Sequence, residues 1–176
     1  MITNIIVPTD GSEHAIKACA LAGDIASKYG AAVTILHVML SDASIDQIQG
    51  LAKALGAEKK LLKEIDRLIA LPMETLAFGG DTVPVMIPVP LEVLTEVGEL
   101  VTASARKTIA EKGVENISVQ IVGGRPADAI IEAVTRTKAD MIVMGSRGFG
   151  NLKGMLVGSV SHKVSNLSPV TCITVK

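Results

Sequence analysis

A chain of 176 residues, 48% hydrophobic and 20% charged, has the length and balance of one globular domain with a sizeable core, which excludes a disordered polymer. Lys and Arg number 17 against 18 Asp and Glu, a net charge of −1, so no basic field draws the chain to nucleic acid or to an anionic membrane. The aromatics are Tyr29, Phe78 and Phe149 alone, too few for the stacking platforms that single-stranded nucleic acids use.

The chain opens on MITNIIVPTDG, which reads as a strand entering a turn and lacks the basic start and apolar core of a signal peptide. Residues 2–7 are a β-branched run closed by Pro8 and Gly11, the pattern of a buried parallel strand. Ser12 is the expected N-cap of a helix over 13–29, with Ile16, Ala20 and Ile25 at helical spacing and Gly30 as its stop. Residues 32–39 (AVTILHVM) form a second strand. The stretch 41–98 is less regular. Residues 45–71 read as one helix, weakened in its first half by Gly50 and Gly56. Residues 71–90 hold four prolines, two glycines and only Glu74 and Asp81 as charges, so no regular helix runs through them and their apolarity is unusual for a solvated loop. Helical spacing resumes over 91–112.

A third strand is expected at 117–122, followed by Gly123-Gly124 and a helix that starts at Pro126 and runs to about Lys138. A fourth strand at 140–144 ends at Gly145, a helix spans about 154–166, and a fifth strand closes the chain from Val170 to Val175. Strands separated by helices imply a parallel sheet covered on both faces, because parallel crossovers need a connecting helix. Ligands of such sheets bind beyond the carboxyl ends of the strands, which directs attention to the loops after the first, second and fourth. No run reaches the roughly 18 apolar residues of a spanning helix, so a cytoplasmic, soluble protein is expected. Cys19 and Cys172 lie far apart in apolar stretches and read as small buried hydrophobes. His14, His37 and His162 have no metal-ligand spacing.

The loop from Gly145 to Ser159, GSRGFGNLKGMLVGS, is the strongest local signal. Glycines between a strand and a helix let backbone N–H groups converge on phosphate oxygens beside a helix N-terminus. Arg147 and Lys153 either supply cationic balance or are ordinary surface charges. A Walker loop is excluded because Asn151 follows Gly150, and the dinucleotide fingerprint fails at Lys153. The spacing Gly-x2-Gly-x9-Gly-Ser is complete at Gly145, Gly148, Gly158 and Ser159.

That spacing resembles the ATP-binding branch of the universal stress protein family. The likeness extends to Val7-Pro8-Thr9-Asp10-Gly11-Ser12, Leu36-His37-Val38, Gly123-Gly124-Arg125-Pro126-Ala127 and the closing Pro169-Val170-Thr171-Cys172-Ile173-Thr174-Val175. It covers about 1–40 and 100–176, leaving about 41–98 as an insertion in a single domain. The resemblance implies a Rossmann-like, adenine nucleotide alpha hydrolase-like sheet in strand order 3-2-1-4-5. It also implies ATP with Mg or Mn. Asp10 and the Pro8-Thr9 backbone would flank the adenosine and the Val38 backbone would hold the adenine. Met144 and Gly145 would lie by the ribose, and Gly148, Gly158, Ser159 and Val160 around the phosphates, with Arg147 nearby. Taken alone, Asp10 reads more readily as a turn or capping residue than as a ligand contact. The family likeness further implies a homodimer through the last strand, whose exposed edge seeks a partner.

No Ser–His–Asp set, carboxylate pair or zinc signature is recognisable, and Thr9-Asp10-Gly11-Ser12 replaces the Ser-Gly-Gly-x-Asp-Ser of ATP pyrophosphatases. The expected function is a nucleotide-dependent regulator of the stress response. The alternatives are an adaptor for a membrane transporter or signalling partner, docking through Leu76 to Leu91, and a weak Mg-dependent ATPase.

Overall fold

In a computed structural model of the chain, the described residues are 1–39, 41, 43–71, 75–78, 81–84, 88–149 and 158–176. β1 (Asn4–Pro8) leads through Gly11, in the left-handed region at φ 82°, into α1 (Glu13–Tyr29). Ser12 caps that helix by accepting the Ala15 N–H, and Gly30 ends it at φ 65°. β2 (Ala32–Val38) follows. Next come α2 (Ile45–Ala54) and α3 (Lys59–Ile69), the short strands β3 (Thr75–Phe78) and β4 (Asp81–Pro84), and α4 (Leu91–Ala110). The last third is β5 (Ile117–Val122), α5 (Pro126–Thr137), β6 (Met141–Gly145), α6 (Ser159–Leu167) and β7 (Thr171–Val175).

Five strands make one parallel sheet in the order β5-β2-β1-β6-β7, which is 3-2-1-4-5 counted along its own strands. Alternation along the strands sends side chains to opposite faces. Ile5, Val7, Val33, Ile35 and Val143 pack with Ala18, Cys19, Ala22 and Ala26 of α1 and with Ala105 and Ile109 of α4. Ile6, Leu36, Val38, Ile142 and Met144 pack instead with Ala127, Ile130, Ala133 and Val134 of α5 and Val164 of α6. Helices therefore cover both faces, and each fully buried Ile or Val contributes about 1.5–3 kcal/mol. The small side chains of α1 let α4 come close: a Cβ on Gly23 would stand 3.4 Å from Ile109 Cα, and 2.7 Å from Lys112 Cγ just beyond the helix. Among them, burial pushes the Cys19 thiol up to about 12, so it stays protonated.

The region between β2 and β5 departs from the sequence expectation. One helix over 45–71 is replaced by two, because Gly56 takes φ 75° and turns the chain between α2 and α3. Both pack on α4 in a third cluster that includes Ile48, Leu51, Leu61, Ile65, Val93 and Val97. The Pro-rich stretch, expected to lack helix, carries the antiparallel pair β3–β4, with Thr75 opposite Pro84 and Phe78 opposite Asp81. The helix expected from Gly154 begins at Ser159 with Gly158 as N-cap, while Gly154 itself lies outside the described residues. Asp140 precedes β6 rather than opening it: its Oδ2 accepts the Thr3 N–H at 2.7 Å, the Thr3 hydroxyl at 2.7 Å and the Asn4 N–H at 2.9 Å. Among the described residues no helix is long and apolar enough to cross a membrane.

Candidate functional site

The strand order reverses between β2-β1 and β6-β7, and the carboxyl ends of β1, β2 and β6 open there into a cleft of about 300 Å³. The β1 loop forms one wall. The Thr9 N–H donates to the Leu36 carbonyl at 2.9 Å, and the Thr9 carbonyl accepts from His37 Nδ1 at 2.9 Å. A carbonyl cannot donate, so His37 carries its proton on Nδ1. The ring is 1% exposed, and burial holds its pKa below the usual 6.5 against the opposing pull of the Thr9 carbonyl and Asp10. Asp10 then closes a turn, its Oδ1 accepting the Ser12 N–H at 3.0 Å.

The β6 loop forms the opposite wall. The Ser146 N–H donates to the Val175 carbonyl at 2.7 Å, which continues the β6–β7 pairing by one residue. The Ser146 carbonyl accepts both the Gly158 N–H at 2.7 Å and the Ser161 hydroxyl at 2.8 Å. The two ends of the glycine loop are thereby drawn together at the start of α6, whose positive dipole end lies at the cleft. Two cross-links close the cleft against the β1 loop: the Ser12 hydroxyl donates to the Arg147 carbonyl at 3.3 Å, and the Phe149 N–H donates to Asp10 Oδ2 at 3.1 Å.

Close approach demands glycine at Gly145 and favours it at Gly148 and Gly158. A Cβ at Gly145 would stand 2.8 Å from the Ala15 nitrogen, one at Gly148 would run into the Asp10 carboxylate, and one at Gly158 would meet the Ser146 carbonyl oxygen at 3.2 Å. A bare backbone lies closer to the cleft walls here than a residue with a Cβ would.

Pro8, Thr9 and Asp10 line the cleft from β1, Val38 from β2, Met144, Gly145, Arg147 and Gly148 from β6 and its loop, and Gly158, Ser159 and Val160 from the start of α6. Four separated stretches of sequence thus meet in one cavity. The whole chain, residues 1–176, matches the universal stress protein family.

This chain belongs to the universal stress protein family.

Among its relatives, the stress response protein NhaX of Bacillus subtilis is 34% identical over 98% of this chain and 96% of its own length. The fold is shared with UspA of Lactobacillus plantarum, at a TM-score of 0.68 and 21% identity over 100% of this chain and 99% of that one. It is also shared with a universal stress protein of Archaeoglobus fulgidus solved in complex with dAMP, at a TM-score of 0.59 and 20% identity over 100% of both chains.

The cleft also takes residues that family-style motif reading passes over. Leu36, Pro126 and Ile130 add apolar wall, Ala15 and Ser161 lie behind the glycines, and Ala43, Gln47 and Phe149 come from the side of the outer helices. Pro126 and Phe149 stood inside the motif stretches, so their positions were marked in the sequence. Nothing in the sequence marked Gln47, which lies in the irregular stretch and reaches the cleft only because α2 packs on α4. Lys153 lies outside the described residues.

Proposed function

We propose that this universal stress protein binds an adenine nucleotide, ATP with a divalent Mg or Mn cation, and acts as a nucleotide-dependent regulator in the stress response. The observation that carries this reading is the convergence of Pro8, Val38, Met144, Gly148, Gly158 and Ser159 on one cleft with a glycine cradle at one end. The apolar wall of Pro8, Leu36, Val38, Pro126, Ile130 and Met144 suits a purine, and the N-terminus of α6 with Gly148 and Gly158 suits phosphates. Arg147 adds a positive charge at the same end. Among the described residues no three His, Cys, Asp or Glu converge, so a cation here would be held chiefly by phosphate oxygens. It would offset the Asp10 carboxylate, which otherwise faces the phosphates as a like charge. The A. fulgidus relative in complex with dAMP supports the same class of ligand. β7, paired only with β6 in the sheet order, leaves the edge through which a homodimer would form.

Calorimetric titration with ATP, with and without Mg²⁺ and with GTP as control, tests the reading. One saturable ATP site per chain is expected, and a hundredfold excess over Kd stabilises the fold by about 2.7 kcal/mol. Gly158→Val abolishes that gain, since its side chain starts 3.2 Å from the Ser146 carbonyl oxygen. Equal affinity in a folded Gly158→Val variant refutes the site. Mg²⁺-dependent phosphate release that vanishes in the same variant would add slow hydrolysis.

A second reading, the adaptor, is favoured by β3–β4: this pair forms a sheet of its own, separate from the five-stranded one. Replacing residues 76–91 with a short polar linker should remove partner capture and leave ATP binding intact. Capture that survives the replacement rules that surface out.

A further inference from the structure

Two consecutive peptide groups of the glycine loop are held by side chains from different walls of the cleft. The Phe149 N–H donates to Asp10 Oδ2 at 3.1 Å, and the Phe149 carbonyl accepts from Gln47 Nε2 at 3.3 Å. Gln47 is also the third residue of α2, where its Oε1 accepts the Ser44 N–H at 2.9 Å and its own N–H donates to Ser44 Oγ at 3.3 Å. One side-chain amide therefore closes the capping box of α2 and clasps the glycine loop. The Phe149 side chain packs against the cluster formed by α2, α3 and α4.

We propose that Gln47 and Phe149 form a joint through which occupancy of the cleft is transmitted to α2 and α3. This rests on the nucleotide reading of the cleft. Both residues line it, beside Gly148. A phosphate seated there competes with Asp10 for the Phe149 N–H, and a reset of that peptide is passed one bond further to the carbonyl that Gln47 holds. It is passed also to the ring inside the outer cluster, where close packing converts a small backbone shift into a movement of helices. α2 and α3 are suited to respond. They are helices of 10 and 11 residues, α3 has no side-chain cap, and both rest on α4 rather than within the sheet. Elements with so few buried contacts open at lower free energy than the strands.

Hydrogen exchange of the full chain with and without saturating Mg–ATP reads the joint directly. In the wild type, amides of α2 and α3 slow by about fivefold or more on binding, the low end of ordinary coupling. Gln47→Glu is the sharp variant: a glutamate still accepts the Ser44 N–H and keeps the capping box, but it has no N–H for the Phe149 carbonyl. At saturating nucleotide it should lose most of the slowing in α2 and α3. Ser44→Ala is the control, because it weakens the cap and spares the clasp. Exchange in α2 rises in both states, and the ligand-dependent slowing persists. Full slowing in Gln47→Glu, or loss of it in Ser44→Ala, overturns the joint in favour of plain helix stability. A wild type that binds Mg–ATP without slowing exchange in α2 and α3 overturns the joint alone, whereas a wild type that does not bind overturns the nucleotide reading and the joint together.

Discussion

Two glycines in helix interiors separate helix propensity from packing, and alanine at each should change stability in opposite directions. Replacing an interior helical glycine with alanine gains about 1 kcal/mol in propensity. At Gly50 in α2 a new Cβ would meet nothing within 4 Å, so the full gain is expected. At Gly98 in α4 the Cβ would stand 2.9 Å from His37 Cδ2 and 3.3 Å from Ile121 Cγ2. The His37 ring has nowhere to swing: it is 1% exposed and tied by Nδ1 to the Thr9 carbonyl at 2.9 Å. Overpacking a core of this kind costs about 1–3 kcal/mol, and a weakened Thr9 bond adds about 1 kcal/mol. Gly98→Ala should therefore lose about 1–3 kcal/mol net of propensity. At this chain length each kcal/mol moves the Tm by about 2–4 °C. Urea unfolding followed by circular dichroism should show the two midpoints on opposite sides of the wild type at equal m-values. Thr9 lines the cleft, so Gly98→Ala should also weaken ATP binding and Gly50→Ala should not. A Gly98→Ala protein as stable as wild type, alongside a stabilised Gly50→Ala, would refute the claim that His37 is wedged between α4 and the β1 loop.

The Thr3 hydroxyl, with the Thr3 and Asn4 N–H groups, holds the Asp140 carboxyl below its usual 3.8, so its stabilisation is present above that value and is lost as pH falls through the lowered folded value. Asp140→Asn should flatten the acid limb of stability measured by denaturant titration as the pH falls below about 4. His37 has the opposite charge chemistry: burial lowers its pKa from 6.5, the unfolded chain takes the proton first, and stability falls as pH drops below 6.5 toward the lowered folded value. His37→Asn, whose amide offers an N–H near the place of Nδ1, should remove that slope, and a slope that persists would assign it to another group.

Local chemistry made much of this molecule legible in its sequence. Ser12 and Gly30 bracket α1 because an N-cap oxygen and a left-handed C-cap are demands the chain meets residue by residue. Pro126 opens α5 for the same reason, its missing N–H costing nothing at the first turn. The five sheet strands announce themselves by β-branched runs, though only β1, β2 and β6 are buried while β5 and β7 are part-exposed edges, and their alternation with helices leaves a parallel sheet as the economical arrangement. The glycine spacing at Gly145, Gly148 and Gly158 identified the loop because close approach there favours a residue without a Cβ. The stretch between β2 and α4 was less legible: Gly50 and Gly56 are alike in sequence, yet one stays helical and the other turns the chain at φ 75°. Packing of Ile48, Leu51, Leu61 and Ile65 onto α4 decides between them, and the partner surface lies more than twenty residues further on.

Sequence by itself, then, determined the elements whose stop and start signals are local, the class of sheet they build, and the glycines at which two stretches of backbone come close. Tertiary structure alone decided that His37 is wedged against Gly98 and carries the Thr9 carbonyl, that Asp10 reaches across the cleft to the Phe149 N–H, and that Gln47 joins the wall. Those are contacts between stretches 28 to 139 residues apart. Hydrogen bonds of this kind depend on where whole helices come to rest, and no periodicity or spacing within one stretch encodes that position.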